Sequence, residues 1–390
     1  MLPYWRLSGF YFAYFALLGG VAPFLALYFN HLGYSAARIG ELVAIPMLMR
    51  CLAPSLWGWL GDVTGQRLAI VRLGALFTAL AFTGIFYRQD YLWLAMIMAL
   101  HSFFWHAVLP QFEAITLSHL GAQSSRYSMI RLWGSVGFIA TVIGLGLVLQ
   151  FSSLDVYPMV MLGIMLGIFF CSLTVPAPPT NKAPGAALPG EGFLRLLRRP
   201  GVLAFFLCAG LMQFSHGPYY TFLTLHLESL GYSRSLIGLL WALGVVAEIL
   251  LFMVMARVLA HVTLKQLLVC SLLLAAVRWV LLGSLADHLS ALLLAQLLHA
   301  ATFGCFHVAA IHFIQRSFSE RLQGQGQALY ATLSGMGGAL GALYAGYSWT
   351  SLGPFWTFAL GGLAAFVAAM VLLRCLPAVP AEAHSSQTLS

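Results

Sequence analysis

The sequence predicts an all-α membrane protein of twelve transmembrane helices, built as two six-helix bundles related by a parallel pseudo-twofold repeat. Three observations predict it. The chain of 390 residues is 61% hydrophobic and only 8% charged, against about 25% charged residues in a soluble domain. Its apolar residues gather into twelve segments long enough to cross a bilayer. A short phrase also recurs, "LGYSAARIGEL" at 32–42 and "LGYSRSLIGLL" at 230–240, identical at seven of eleven positions and offset by 198 residues.

About 20 apolar residues span the hydrocarbon core as a helix. The segments are 6–30, 38–60, 68–88, 91–118, 129–150, 156–175, 201–228, 235–259, 265–285, 289–315, 324–349 and 352–374. The first is too long for the apolar core of a signal peptide and lacks a clear small-residue cleavage site, so it reads as a membrane helix. With the N-terminus inside, fourteen of the 19 Lys and Arg fall at inner loops and helix ends. Arg38, Arg88 and Arg234 fall outside, and Arg50 and Arg278 fall within the membrane. The positive-inside rule then makes both termini cytoplasmic, in a multi-pass protein of a bacterial-type inner membrane.

The domain plan follows the repeat. Residues 1–176 make an N-terminal six-helix bundle and 200–376 a C-terminal one. Residues 177–199, rich in Pro and Gly, read as a cytoplasmic linker whose end, Arg195 to Arg199, suits a short amphipathic helix on the inner leaflet. Residues 377–390 read as a disordered polar tail. In the repeated phrase, Gly33 and Gly231 suit the positive φ that ends a helix, and Ser35 and Ser233 suit caps for the next. The phrase is therefore a turn rather than a site. "HSFFWH" at 101–106 resembles "TFGCFH" at 302–307, so His106 corresponds to His307. The 198-residue offset places Arg50 on Glu248, a cation opposite an anion.

Several function classes are excluded. The formal charge of +8 is spread too thinly among apolar runs to form a nucleic-acid groove. The six cysteines lie in or beside apolar segments with no CxxC spacing, so neither a disulfide set nor a zinc site is expected. No HExxH or other metal-ligand cluster occurs, no nucleotide-binding loop occurs, and no cofactor is implied. No helix face carries the reactive cluster an enzyme needs.

Ionisable residues within the bilayer cost at least about 2.5–3.5 kcal/mol on insertion scales, so they mark paired groups or a polar cavity. Arg50, Glu113, Glu248 and Arg278 are such residues. A carboxyl that alternates between wet and dry surroundings suits proton uptake and release, which fits Glu248. A static ion pair with Arg50 or Arg278 fits it too. The guanidinium fork of Arg50 suits a substrate carboxylate, or again an ion pair. His216, Tyr219 and Tyr220 share one turn and suit an aromatic cargo, or a core aromatic cluster. His106 and His307 suit the lining of the cavity, or neutral hydrogen bonds between helices.

Residues 58–67, "GWLGDVTGQR", carry Gly58, Asp62, Gly65 and Arg67 in a pattern that resembles the loop 2–3 motif of the major facilitator superfamily. "IRLWGSVGF" at 130–138, "SHGPYYTFL" at 215–223, "LGVVAEI" at 243–249, "VRWVLLG" at 277–283 and "LLHAATF" at 297–303 resemble the 3-phenylpropionic acid transporter group of that superfamily, related to nucleoside/proton symporters and lactose permease. The resemblance implies secondary active transport by alternating access. The cargo would be a small organic anion, such as the aromatic acid 3-phenylpropionate, moved with a proton. A nucleoside or sugar transporter is the alternative within the class, and a membrane-embedded sensor the one outside it. The resemblance also implies roles. Substrate binding would fall to Arg50, His216, Tyr219, Tyr220 and His307. Proton coupling would fall to Glu248 and Arg278, with His299 or His307 completing a set like that of lactose permease. A cytoplasmic gate would fall to Asp62, Arg67, Glu113 and Arg131. The partners are then the anion, the proton and the lipid bilayer, and a monomer suffices.

Overall fold

The computed structural model describes residues 2–178 and 191–376. The sequence-predicted tail, 377–390, and most of the linker, 179–190, lie outside the described residues. The chain runs α1 (Tyr4–His31), α2 (Ala36–Thr64), α3 (Arg67–Phe82), α4 (Tyr91–Leu120), α5 (Tyr127–Phe151), α6 (Tyr157–Thr174), α7 (Glu191–Leu197), α8 (Pro200–Ser215), α9 (Gly217–Ser229), α10 (Arg234–His261), α11 (Leu264–Ser284), α12 (Leu289–His299), α13 (Phe306–Ser317), α14 (Glu320–Ser351) and α15 (Gly353–Cys375). A π-helical turn, Ala300–Cys305, joins α12 to α13. Among the described residues, eleven helical segments are long and apolar enough to span a membrane. The remaining expected span, 324–349, is α14, which has the length, 32 residues, but its many glycines and its serines lower its hydropathy. Those glycines are used: α14 packs closely on α2, α8 and α9.

Two of the expected spans are interrupted. Span 201–228 is two helices, α8 and α9, parted at His216. Here Gly217 passes the backbone of Gly341 so closely that a Cβ on it would lie 2.2 Å from the Gly341 carbonyl carbon. Pro218 then opens α9, where its missing N–H costs nothing. Span 289–315 carries the π turn. Such bulges are rare and occur mostly at functional sites. The linker ends in a helix, α7, that lies earlier than the expected 195–199, at Glu191–Leu197, and its Phe193 packs on Phe318.

The LGYS phrases fold alike. Gly33 and Gly231 have φ of 83° and 85°. Ser35 and Ser233 accept hydrogen bonds from the backbone N–H groups of Arg38 and Leu236. Tyr34 donates to the carbonyl of Gln89, and Tyr232 donates to that of Asp287 at 3.0 Å, the same bond repeated 198 residues later.

The buried apolar side chains form two clusters. One is drawn chiefly from the first six long helices and the other from α7 onward. The halves are joined chiefly through α2 with α14, α5 with α10, and α1 with α9. Their tight contacts gather at the end bearing the LGYS turns, the turn end. A Cβ on Gly40 would lie 2.6 Å from the Ala342 carbonyl oxygen, and one on Gly238 would lie 2.3 Å from that of Val142. Tyr347 donates to Glu41 at 2.5 Å. Arg234 donates from its guanidinium to the Leu149 carbonyl at 2.8 Å and from its amide to Gln150 at 2.8 Å. Toward the end bearing the chain termini, Leu56 and Val63 of α2, Met129 of α5 and Met253 of α10 are exposed. The closest backbone approaches between α5 and α10 thus lie at the turn end, and α2 and α14 stay in contact as far as Cys51 and Thr332.

Candidate functional site

Arg50 lies on α2 between Pro46 and Pro54, each of which removes a backbone hydrogen bond and loosens the helix. Its side chain is exposed and, among the described residues, takes part in no hydrogen bond or salt bridge. It nevertheless faces inward. Its charge bears on Tyr14 and His106 from one half and on Tyr220, His307 and Tyr330 from the other. A cation that is both exposed and ringed by interior aromatic groups lines a cavity that water enters. The charge of this one guanidinium reaches both members of the repeat-related pair, His106 and His307.

The far wall is aromatic. The π turn brings His299, Phe303 and His307 into a ladder, with rings 5.3 and 6.4 Å apart and tilted by only 8° and 9°. Tyr219 stacks on His299 at 5.8 Å, and Tyr330 of α14 meets His307 Nδ1 at 3.3 Å. His216 stacks on Tyr220 at 5.9 Å. The ring tautomer of His216 follows from its contact: Nδ1 lies 2.8 Å from the Met212 carbonyl, which can only accept. Nδ1 therefore carries the proton, and Nε2, buried without a partner among the described residues, is a bare acceptor.

Glu248 is half-buried on α10 beside the π turn. A Cβ on Gly304 would sit 3.2 Å from Glu248 Cγ, so glycine there leaves the carboxylate its space. The charge of Glu248 bears on Tyr219 and Tyr220. Glu248 and Arg50 thus face one chamber around Tyr220, the equivalent positions of opposite charge that the repeat had paired. They form no salt bridge with each other. Glu248 forms none with Arg278 either, so the static-pair alternative does not describe this conformation.

Arg278 is fully buried and held by neutral groups. Its Nε donates to the Ala295 carbonyl at 2.7 Å. One terminal nitrogen lies 3.2 Å from His299 Nδ1 and donates to Thr302 at 3.1 Å, and the other donates to Gln296 at 3.3 Å. The guanidinium rests over the rings of Tyr219 at 4.3 Å and Trp279 at 4.8 Å. A buried cation needs such a shell, and the fork reaches four acceptors here. This brings Arg278 and His299 together, as expected, but through direct contact with each other rather than through Glu248.

The four expected gate residues fall into two groups. Asp62 and Arg67 form a salt bridge, and Arg67 also donates to Gln111 at 2.9 Å. Gln111 in turn donates to the Trp57 carbonyl at 3.1 Å, tying α2, α3 and α4. Glu113 instead accepts from Tyr127 at 3.2 Å and lies in the field of Arg131. Arg131 stacks 3.8 Å over Phe15 and faces the chamber, its charge bearing on Glu248 and His307. Sequence reasoning missed Arg131 as a chamber residue, and missed Gln296 and Thr302 altogether. For Arg131 the position on α5 gives depth, but the side of the helix it leaves from is set by packing. Gln296 and Thr302 had one available signal, polar side chains one turn either side of His299 on an apolar span.

The profile of the MFS_1 like family matches residues 4–360. The chain is 29% identical to a probable 3-phenylpropionic acid transporter of Escherichia coli, over 94% of this chain and 97% of that one. It is 27% identical to a maltose permease of Geobacillus stearothermophilus, over 87% and 86%. Among solved structures, the nucleoside transporter NupG superposes with a TM-score of 0.83 at 18% identity, covering 96% of this chain and 98% of that chain. A POT family transporter in complex with a thioalcohol conjugated peptide superposes with a TM-score of 0.75 at 13% identity, covering 95% of both.

Proposed function

The chain belongs to the MFS_1 like family and is a membrane transporter, and from that premise we propose that it carries a small aromatic acid such as 3-phenylpropionate in symport with a proton. The observation that supports this reading best is Arg50, an unpaired guanidinium exposed inside the molecule and surrounded by aromatic groups of both halves. Arg50 takes the carboxylate through its planar fork. The rings of His216, Tyr219, Tyr220 and His307, with Phe303 between, form the slot for the aromatic part. Glu248 carries the proton. Arg278 and His299 hold the π turn against which Glu248 rests, and so position it.

The turn end faces outward and both termini face the cytoplasm of a bacterial-type inner membrane. This conformation then faces inward, and Asp62, Arg67, Glu113 and Arg131 belong to the gate that closes that side. The two bundles, 1–176 and 200–376, rock as units about the chamber, joined by 177–199. A monomer suffices.

The test is uptake into proteoliposomes driven by a proton gradient. Wild type accumulates 3-phenylpropionate. Glu248→Gln binds it but loses accumulation against a gradient, and unchanged coupling in that variant removes the proton role. Arg50→Gln loses charge-assisted hydrogen bonds worth about 1.5–3 kcal/mol, so its affinity for carboxylates falls by about 10- to 150-fold. An unchanged affinity removes the role of Arg50. A second reading rests on His216 Nε2, a buried acceptor facing aromatic rings with no donor of its own. It suits a cargo hydroxyl, as on a nucleoside or sugar. Saturable uptake of such a neutral solute, indifferent to phenylpropionate, selects that reading.

A further inference from the structure

Away from the chamber, a cleft of about 560 Å³ opens between the start of α1 and the end of α6, lined by Trp5, Arg6, Gly9, Cys171, Leu173 and Thr174. None of these is acidic. Arg6 is exposed and, among the described residues, takes part in no hydrogen bond or salt bridge. The end of α6 has no need of it. Arg72 already donates to the carbonyls of Ser172 at 3.4 Å and Val175 at 3.1 Å, and the Thr174 hydroxyl donates to the Cys171 carbonyl at 2.8 Å. Gly9 lies three residues from Arg6, on the same face of α1, and a Cβ on it would meet nothing within 4 Å. Trp5 is 70% exposed, its ring 5.6 Å from that of Trp133, whose indole N–H donates to the Tyr4 hydroxyl at 3.1 Å.

Helix length sets the level of the cleft in the membrane. The 28 residues of α1 rise about 42 Å, against about 30 Å for the hydrocarbon core. Shared between its ends, the excess places about four residues of each among the headgroups. Tyr4, Trp5 and Trp133 are the aromatic residues that favour this layer. Arg6 then lies at the level of the lipid phosphates, and Gly9, about 4.5 Å deeper, where the acyl chains begin.

The repeat separates the cleft from the shared scaffold. At the 198-residue offset, Leu7, Phe10 and Tyr11 fall on Phe205, Cys208 and Ala209, and all six are fully buried. In the same register Trp5, Arg6 and Gly9 fall on Leu203, Ala204 and Leu207. The second half thus packs the equivalent helix with the same buried face, with leucine in place of the indole and the gap, and with no cation. Packing a bundle of this kind does not call for Trp5, Arg6 or Gly9.

We infer that the cleft binds an anionic phospholipid of the leaflet at the end bearing the chain termini. The guanidinium fork of Arg6 takes the phosphate through parallel hydrogen bonds, Trp5 flanks the headgroup, and an acyl chain runs past Gly9 and Leu173. A zwitterionic lipid offers the same phosphate but brings an ammonium, which this cleft has no acid to receive. A soluble phosphate would use Arg6 and leave the space at Gly9 empty, so a lipid is the occupant that fits both.

The test is quenching of Trp5 fluorescence by brominated lipid in the full-length protein, read in each variant as the difference made by Trp5→Phe, because the chain has ten tryptophans. The vesicles are phosphatidylcholine carrying a minor fraction of brominated phosphatidylglycerol, or the same fraction of brominated phosphatidylcholine. Wild type shows phosphatidylglycerol enriched at Trp5 by roughly fivefold, the equivalent of about 1 kcal/mol for one basic residue at an anionic lipid surface. Arg6→Gln removes the excess. Gly9→Leu, which copies the second half, removes it with the charge still present. Neither variant disturbs packing, since Arg6 is exposed and Gly9 faces open space. No excess in the wild type overturns the inference, as does an excess that survives either variant. So does an equal excess at Trp59, exposed on α2 toward the same end, which marks attraction to the net charge of +8 instead of a site.

Discussion

Gly238→Ala puts a single methyl group between the two halves of the molecule. The added Cβ would lie 2.3 Å from the Val142 carbonyl oxygen and 3.2 Å from its carbon. Both are backbone atoms, so no side-chain rotation relieves the contact. Restoring an ordinary separation of 3.4 Å requires α5 and α10 to part by about 1.1 Å. Overpacking of this kind costs about 1–3 kcal/mol. The cost falls on one conformation only, because the clash joins the halves where they touch in this state and disappears when the turn end opens. The expected result is a shift of about 5- to 150-fold away from the state seen here.

Two further glycines serve as controls. Gly137 meets Phe12 of α1, where a Cβ would lie 2.1 Å from the Phe12 carbonyl oxygen. That contact lies among helices of one half and persists in every conformation, so Gly137→Ala lowers thermal stability without selecting a state. Gly144, on α5 like Gly137, has nothing within 4 Å of its Cβ position, and Gly144→Ala changes neither property. The assay is the distance between labels at Phe151→Cys and Leu352→Cys, exposed at the turn end of either half, combined with thermal unfolding of each variant. An unchanged distance distribution in Gly238→Ala refutes the reasoning. So does a shift of equal size in Gly137→Ala.

Tyr347→Phe removes the hydroxyl that Glu41 accepts across the turn end. It shifts the same distance distribution in the same direction as Gly238→Ala but less, because the contact is exposed. Arg278→Lys keeps the charge and loses the fork, stranding acceptors among Ala295, Gln296, Thr302 and His299; unfolding measurements should show a loss of about 1–3 kcal/mol. Ser35→Ala and Ser233→Ala each remove an N-cap worth about 0.5–2 kcal/mol, and equal losses in thermal unfolding are expected because the two turns share their bonds.

The sequence revealed features that are repeated locally and concealed those set by packing between helices. Apolar runs and the positive φ of the LGYS glycines depend on neighbours in the chain, so the long helices and both turns could be read directly. The repeat even carried a tertiary bond, since Tyr34 and Tyr232 anchor to loops at the same offset. The break at His216 had a local signal in Gly217 followed by Pro218, but the close approach to Gly341 lies on a distant helix and was not readable. Nor was the π turn, which inserts one residue into a ladder without altering the composition of the span. For charged residues the limit is sharper. Position along a span fixes depth, so Arg50, Glu248 and Arg278 were recognisable as intramembrane charges.

Partnership is another matter, because it depends on the angle at which each side chain leaves its helix and on the register between helices far apart in the chain. Arg278, which depth alone pairs with Glu248, is instead enclosed by neutral acceptors on α12 and the π turn. Arg131, which depth alone assigns to the inner surface, turns toward the chamber. The offset of the repeat places Arg50 and Glu248 at matching positions of two bundles, and matching positions in a pseudo-twofold molecule face each other across its axis rather than touch. Opposite charges held apart in this way can each bind a separate partner, an anion at one and a proton at the other. A direct pair between them would neutralise both and leave nothing for cargo to bind.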